Sequence, residues 1–313
     1  MKPKDATLAG ALLNSLDEFE KSHHSLPGIS SKVARWAWVE QLVESVRRDR
    51  YIAQLVGNQQ KPIVADPNSI AFDPIKAGIY YNQQGVFEEA CWLIFLSVHF
   101  GKNRRTGWRL VRDVYGRLGQ GNWWTWDRIT NYSEDFIQWL SANMNILKGA
   151  DGVPRYFGNH RKYQSLSATS QTGTGASIHS YIEWVQNDGT HRELIDRYIE
   201  KNDGDPRKVF SALYKAMTVS SFGRMAKFDY LAQMGRTQLF PIEPNSPYFE
   251  GATGPLKAAK LLLAGNSEAK ISWKEAEDKI IALESYLEVG MQAMEDSLCN
   301  WQKSPMKFKP FRG

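Results

Sequence analysis

The chain has 313 residues, 39 Lys and Arg against 34 Asp and Glu, a formal charge of +5 and a pI near 9.0. Such a length buries a sizeable core, as one large domain or two interlocked helical lobes. Two cysteines, Cys91 and Cys299, exclude a disulfide framework and a cysteine-rich zinc site and suit a reducing cytoplasm. The longest apolar run, Cys91 to Val98, is too short to span a bilayer, and no signal-peptide core follows Met1-Lys-Pro-Lys-Asp5. The positive balance favours a polyanionic partner, and 11 Trp, 13 Tyr and 14 Phe supply rings that fill a core or stack on bases.

Residues 6–22 and 30–57 show helical spacing on either side of the breaker Leu26-Pro-Gly-Ile-Ser-Ser31. Together they read as an N-terminal helical cap over residues 1–60, followed by a linker from Gln59 to Pro67. Asp73-Pro74 then starts a long helix running to Val98, with Asp as N-cap and Pro at the first position. Asn82, Gln83 and Gln84 form an amide cluster within it, either a solvated face or a set of base-edge hydrogen-bonding groups. Glu88 and Glu89 precede its most apolar stretch. Next come Lys102, Arg104, Arg105, Arg109 and Arg112, interleaved with Trp108 and Tyr115, a pattern suited to tracking phosphates. Trp123, Trp124 and Trp126 cluster after Gly119-Gln-Gly121; one is a candidate wedge or stacking ring, the others helix packing.

A helix over 133–147 is expected to be capped by Ser133, with Glu134 and Asp135 favourable in its first turn. A turn-rich loop from Gly149 and a hydroxyl-rich stretch to Gly175 follow, containing His160-Arg-Lys-Tyr163. Such a loop is either a solvated surface or, as long loops in compact domains commonly are, functional. Further helices are predicted over 176–186 and 206–220, and apolar spacing from Trp273 through Met294 predicts a closing helix over 272–298 before a basic tail. No repeat and no hairpin pattern is present, so the fold class is all-α.

The richest stretch is Phe222 to Leu263. Arg224 and Lys227 lie three residues apart on one helical face, with Asp229 partly round the helix. Gly251-Ala-Thr-Gly-Pro255 reads as a glycine turn running into an apolar helix, where Gly251 and Gly254 can take positive φ. Free N–H groups at that helix start, with Thr253, Lys257 and Lys260 nearby, suit an anion such as phosphate. In isolation the same string is an ordinary helix-starting turn with a Thr cap. No Walker-type phosphate loop occurs in the chain.

The strings GRMAKFDYLAQMGR, IEPNSPYFEGATGPLKAAKLLL and HRKYQS resemble the α-glutamyl/putrescinyl-thymine pyrophosphorylase family, also described as amino acid:DNA transferases, over roughly Phe72 to Gly265. The resemblance implies a two-lobed, DNA glycosylase-like helical fold with a catalytic body over 61–270 and a C-terminal helix and tail over 271–313 packing on it. Gly254-Pro-Leu-Lys-Ala-Ala resembles the second hairpin and helix of a helix-hairpin-helix element.

The implied reaction replaces the pyrophosphate of a pyrophosphorylated 5-hydroxymethyluracil in DNA with an amino acid or polyamine. A separate 5-hydroxymethyluracil DNA kinase acts upstream, and the base is turned out of the stack. Catalytic candidates are Asp229, Lys227, Arg224, His160, Lys162, Tyr163 and Glu88. Substrate and phosphate candidates are Gly251, Thr253, Gly254, Lys257, Asn82, Gln83 and Gln84; Arg104, Arg105, Arg109 and Arg112 are DNA-binding candidates. No resident cofactor or metal is expected, and a divalent ion assisting pyrophosphate release is compatible with the scheme. The expected partners are double-stranded DNA carrying modified pyrimidines and a free amino acid or polyamine, with no membrane, in the cytoplasm of a bacterium or a phage-infected bacterium. Two readings stand beside it: a DNA glycosylase acting on a modified base, and a non-catalytic helix-hairpin-helix DNA-binding protein.

Overall fold

Fourteen α-helices, joined by turns and short 3-10 segments, and no strand occur among the described residues, 3–310, of a computed structural model. In chain order they are α1 (Pro3–Ser22), α2 (Lys32–Gly57), α3 (Pro74–Gln83), α4 (Phe87–Phe100), α5 (Arg109–Tyr115), α6 (Trp126–Asn131) and α7 (Ser133–Leu147). Then follow α8 (Thr174–Gln186), α9 (His191–Lys201), α10 (Pro206–Ala216), α11 (Arg224–Arg236), α12 (Gly254–Ala264), α13 (Trp273–Leu287) and α14 (Met291–Trp301). The all-α expectation holds.

Helix starts follow the side chains that satisfy free N–H groups. Asp73 Oδ1 accepts from the amides of Ile75 at 3.1 Å and Lys76 at 3.2 Å, with Pro74 as first helical residue. Helix ends were harder to read. The long helix expected from Asp73 to Val98 is two helices, because Gln84-Gly85-Val86 forms a turn with Gly85 at φ +77°. The closing helix over 272–298 is likewise two, divided where Glu288 and Gly290 take φ values of +48° and +85°. Apolar residues stay in phase across both turns, so periodicity alone does not reveal the breaks. Ser133 begins α7 as expected, but as its first residue and without a side-chain cap.

The chain divides into two units, one taking it up to Ile52 and again from Glu243, the other Ala53–Ile242. The division differs from boundaries at 60 and 270, because the first and last helices share one core. Leu12, Leu16, Phe19, Trp38 and Leu42 are buried with Leu262, Leu283, Leu298 and Trp301. Gly28 lets the chain lie against α12 here: a Cβ on it would fall 2.1 Å from the Leu261 carbonyl oxygen.

The second unit is built round α4, whose residues from Glu89 to Ser97 are all buried. Its core is aromatic. The Phe95 ring stacks 3.7 Å from Tyr181 and 5.1 Å from Phe222, centroid to centroid. Trp124 and Trp126 belong to this core, with Trp92 Nε1 donating to the Trp124 carbonyl at 2.7 Å. Trp123 packs on Tyr115 at 6.0 Å. No described helix is long and apolar enough to cross a membrane.

Two glycines predict opposite outcomes. Gly28→Ala should destabilise the chain by on the order of 1–3 kcal/mol, since the new methyl meets backbone. Gly10→Ala, exposed within α1 with nothing within 4 Å, should stabilise it by about 0.5–1 kcal/mol through helix propensity. Denaturant unfolding of both variants measures the two signs.

Candidate active site and anion cleft

Most of the expected site residues sit in the second unit, where the loop between α7 and α8 is held down by polar bonds. The Gly158 amide donates to the Phe100 carbonyl at 2.8 Å, and Arg161 Nε to the Val98 carbonyl at 2.8 Å. Further along, the hydroxyls of Ser220 and Ser221 donate to the carbonyls of Gln171 (2.7 Å) and Thr172 (2.8 Å), tying the loop to the segment before α11.

Arg161 is the centre of this arrangement. Its side chain is only 7% exposed, and Nη2 lies 2.8 Å from Asp229 Oδ2 on α11. Asp229 is 35% exposed, and its Oδ1 accepts no hydrogen bond among the described residues. A buried guanidinium needs such a partner, because removing one side of the pair leaves an uncompensated charge. The cation on Asp229 is therefore Arg161, not Arg224 or Lys227. Arg224 opens α11 half-buried, while Lys227 leans on the Tyr214 ring at 5.8 Å, and desolvation lowers its pKa. Close by, His99 is fully buried with Nε2 3.0 Å from Thr174 Oγ1. Burial, then the charge of Arg161, holds its pKa down at about 3, so the ring stays neutral.

The neighbours of Arg161 along the loop face outward. His160 and Lys162 are exposed, Tyr163 is 91% exposed, and the Lys162 ammonium sits 4.9 Å from the Tyr163 ring centre. Lys162 also lines an open cleft of about 690 Å³ with Asn103, Arg104, Arg105, Arg155, Tyr156, Phe157 and Asn159. Asn103 builds the near wall: its Oδ1 accepts from the amides of Arg105 and Thr106, and its Nδ2 donates to the Phe157 carbonyl at 2.9 Å. Arg155 is structural. Its guanidinium meets Asp113 at 2.6 Å and both oxygens of Asp151 at 2.8 Å, a pairing that holds the Asp151 carboxyl down at about 2. That leaves Arg104, Arg105 and Lys162 as the exposed cations of the cleft. Arg109 and Arg112 lie on α5 outside this lining, and Arg112 is engaged by Asp113 at 3.1 Å.

Other expected residues have local roles. Glu88 Oε2 accepts from the His191 amide at 2.9 Å and meets His191 Nδ1 at 2.5 Å, while Oε1 accepts from the Arg192 amide at 3.2 Å. It thus caps α9, and burial opposed by these bonds leaves its pKa lowered. His191 continues inward to the Tyr181 hydroxyl (2.6 Å) and thence to the Tyr230 hydroxyl (3.0 Å), a buried chain ending beside Asp229 in sequence. Gln83 closes the segment after α2, accepting from the Gln60 amide (3.0 Å) and donating to the carbonyl of Asn58 (3.0 Å). Asn82 and Gln84 stand at the end of α3 rather than mid-helix.

The glycine turn belongs to the first unit. Gly251 has φ +69°, but Gly254 is helical and Thr253 makes no side-chain cap. Lys257 closes an ion pair with Glu268 at 2.9 Å. Among the described residues no group of three or more His, Cys, Asp or Glu is placed to hold a metal ion.

Fold and site together define an all-helical protein with an open cleft that suits an anionic ligand and, in the same unit, a half-exposed carboxylate paired with a buried arginine. The model of the alpha-glutamyl/putrescinyl thymine pyrophosphorylase family, clade 3, matches residues 33–313, and the chain belongs to that family. The match reaches beyond the Phe72–Gly265 range on both sides, taking in α2 and the last two helices. The family description indicates pyrophosphorylase activity in thymine hypermodification, an enzyme of modified DNA. No curated protein and no solved structure matches the chain.

Glu89, beside Glu88, is a different kind of acid. It is buried, accepting from the Tyr115 hydroxyl and the Trp126 amide at 2.6 Å each, and desolvation raises its pKa from an ordinary 4.5 to about 7. Between those pH values the folded chain keeps a proton that the unfolded chain releases. Its contribution to stability is complete below pH 4.5 and falls by on the order of 3 kcal/mol as pH rises to 7. Glu89→Gln should remove that fall, read as the difference between wild-type and variant unfolding free energies across the window.

Proposed function

We propose that this protein replaces the pyrophosphate of a pyrophosphorylated 5-hydroxymethyluracil in DNA with an amine, on a DNA glycosylase-like helical scaffold. The observation that carries the reading is Asp229, fixed by buried Arg161, whose next residue Lys162 joins Arg104 and Arg105 in the basic cleft. A polyanionic substrate and a polyanionic leaving group both call for such a cleft, and an incoming ammonium calls for the carboxylate.

The nitrogen lone pair of the amine forms a bond to the exocyclic carbon of the base, the carbon–oxygen bond to pyrophosphate breaks, and pyrophosphate leaves with that electron pair. The incoming ammonium must first give up a proton, which Asp229 Oδ1 is free to accept. Arg104, Arg105 and Lys162 neutralise charge on the DNA backbone and the departing pyrophosphate. The exposed Tyr163 ring offers a stacking face for a base turned out of the duplex. A separate kinase supplies the pyrophosphorylated base.

Mass spectrometry of nucleosides from 5-hydroxymethyluracil DNA, treated with such a kinase, ATP, amine and this protein, should reveal an aminated thymine together with released pyrophosphate. Strand breaks at modified sites after alkali, rising with protein concentration, would replace this reading with the glycosylase one. Separately, Arg105→Ala should weaken DNA binding and reduce the slope of log affinity against log salt by about 1. An unchanged slope removes Arg105 from the backbone contacts.

A further inference from the structure

Arg155 and Arg161 are matched by carboxylates, Asp113 and Asp151 for the one and Asp229 for the other. Arg117 and Arg128, in the same unit, form no ion pair among the described residues. Both lie against Trp124, with each guanidinium carbon 5.1 Å from its ring centre. The two charges are therefore no further apart than twice that distance, and they repel: desolvation, then Arg128, lowers the Arg117 pKa. The nearby acids do not quench them. Asp135, whose charge draws on Arg117, is exposed and makes no ion pair with it. Asp127, next to Arg128, is exposed and its Oδ1 accepts from Asn131 Nδ2 at 3.2 Å. The Nε–H groups of both arginines and the indole N–H of Trp124 are buried without an acceptor among the described residues, and Trp124 is only 1% exposed. Three donors and two positive charges gather on one ring for which the chain supplies no anion, and a buried donor left unpaired is costly.

The backbone fixes this cluster in place. The Trp124 amide donates to the Tyr115 carbonyl at 2.8 Å, and the Trp124 carbonyl accepts from Trp92 Nε1 at 2.7 Å, closing the turn that carries Arg117. Within that turn Arg117 and Leu118 hold φ values of +52° and +56°, left-handed for non-glycine residues. Such backbone persists only where the surroundings impose it. Both arginines are half-buried, so a ligand reaches them from solvent. The planar fork of a guanidinium matches a pair of phosphate oxygens, and two forks suit a group with several of them. We propose that Arg117 and Arg128, set on Trp124, form a phosphate-group site of their own, outside the cleft lined by Arg104, Arg105 and Lys162. Its occupant is a free phosphate ion or a phosphodiester of a nucleic-acid strand, and the site stands whether or not the protein transfers an amine.

The test titrates the full chain with inorganic phosphate at constant ionic strength and follows the arginine Nε–H resonances by NMR. Those of Arg117 and Arg128 are assigned by their loss in Arg117→Lys and Arg128→Lys, which keep the charge. Phosphate should move both saturably, and chloride should move neither. Arg128→Gln, checked for a native unfolding transition, should weaken phosphate about tenfold, the loss of one charge-assisted contact. A second arm uses a duplex oligonucleotide in place of phosphate. If the site holds a backbone phosphodiester, the duplex moves the same two resonances and Arg117→Gln lowers the slope of log affinity against log salt by about 1. If it holds a free ion, the phosphate shift is retained with duplex bound and the slope is unchanged. No saturable shift with either probe, an equal response to chloride, or undiminished phosphate affinity in Arg128→Gln overturns the site. The wild-type titration decides this even where a variant fails to fold.

Discussion

Burying a guanidinium obliges a protein to supply a fixed anion, and here that obligation shapes the site. Arg161 is drawn under its own loop, with Nε on the Val98 carbonyl and Nη2 on Asp229. Those two bonds fasten the loop to the end of α4 and to α11 together. His160, Lys162 and Tyr163 are left facing outward because their neighbour faces in. The result is a carboxylate of defined orientation, with one oxygen occupied and one available, held by an arginine whose next residue, Lys162, lines a cationic cleft. A positioned carboxylate with one oxygen left open can act as a general base.

The interior supports this arrangement with rings. Tyr181, Phe222 and Tyr230 pack round Phe95 of α4, and Glu88, His191, Tyr181 and Tyr230 form an unbroken hydrogen-bonded chain there. Burial pushes the tyrosine hydroxyls well above their ordinary pKa, so they serve as neutral bonding groups that fix α11 in register. The carboxylates of Glu88 and Glu89, adjacent in sequence, thus divide between a helix cap and a buried acid.

Local signals in the sequence read well where the physics is local. Asp73-Pro74 starts a helix because a carboxylate and a missing N–H act on the next two residues. The family resemblance likewise rests on strings of neighbouring residues. The breaks at Gly85 and Gly290 were not legible, since left-handed turns leave apolar spacing in phase. Arg161 lies inside the string His160-Arg-Lys-Tyr163, yet no local pattern distinguishes it from its neighbours. Its importance depends on burial against Asp229, 68 residues away, which no periodicity encodes. Asn103 and Arg155 shape the cleft for the same reason, through partners that the chain brings back from elsewhere. Conversely Lys257, expected at an anion site, belongs to the other unit and has its own partner in Glu268.

The central claim is that Arg161 and Asp229 act as one functional unit. The direct measurement is a double-mutant cycle on amine transfer with Arg161→Gln, Asp229→Asn and both together, each checked for a native unfolding transition. If the pair works as a unit, each single variant loses about a hundredfold or more in turnover and the double variant is no worse than the poorer single one. Losses that multiply in the double variant, or normal turnover in Asp229→Asn, would contradict the account.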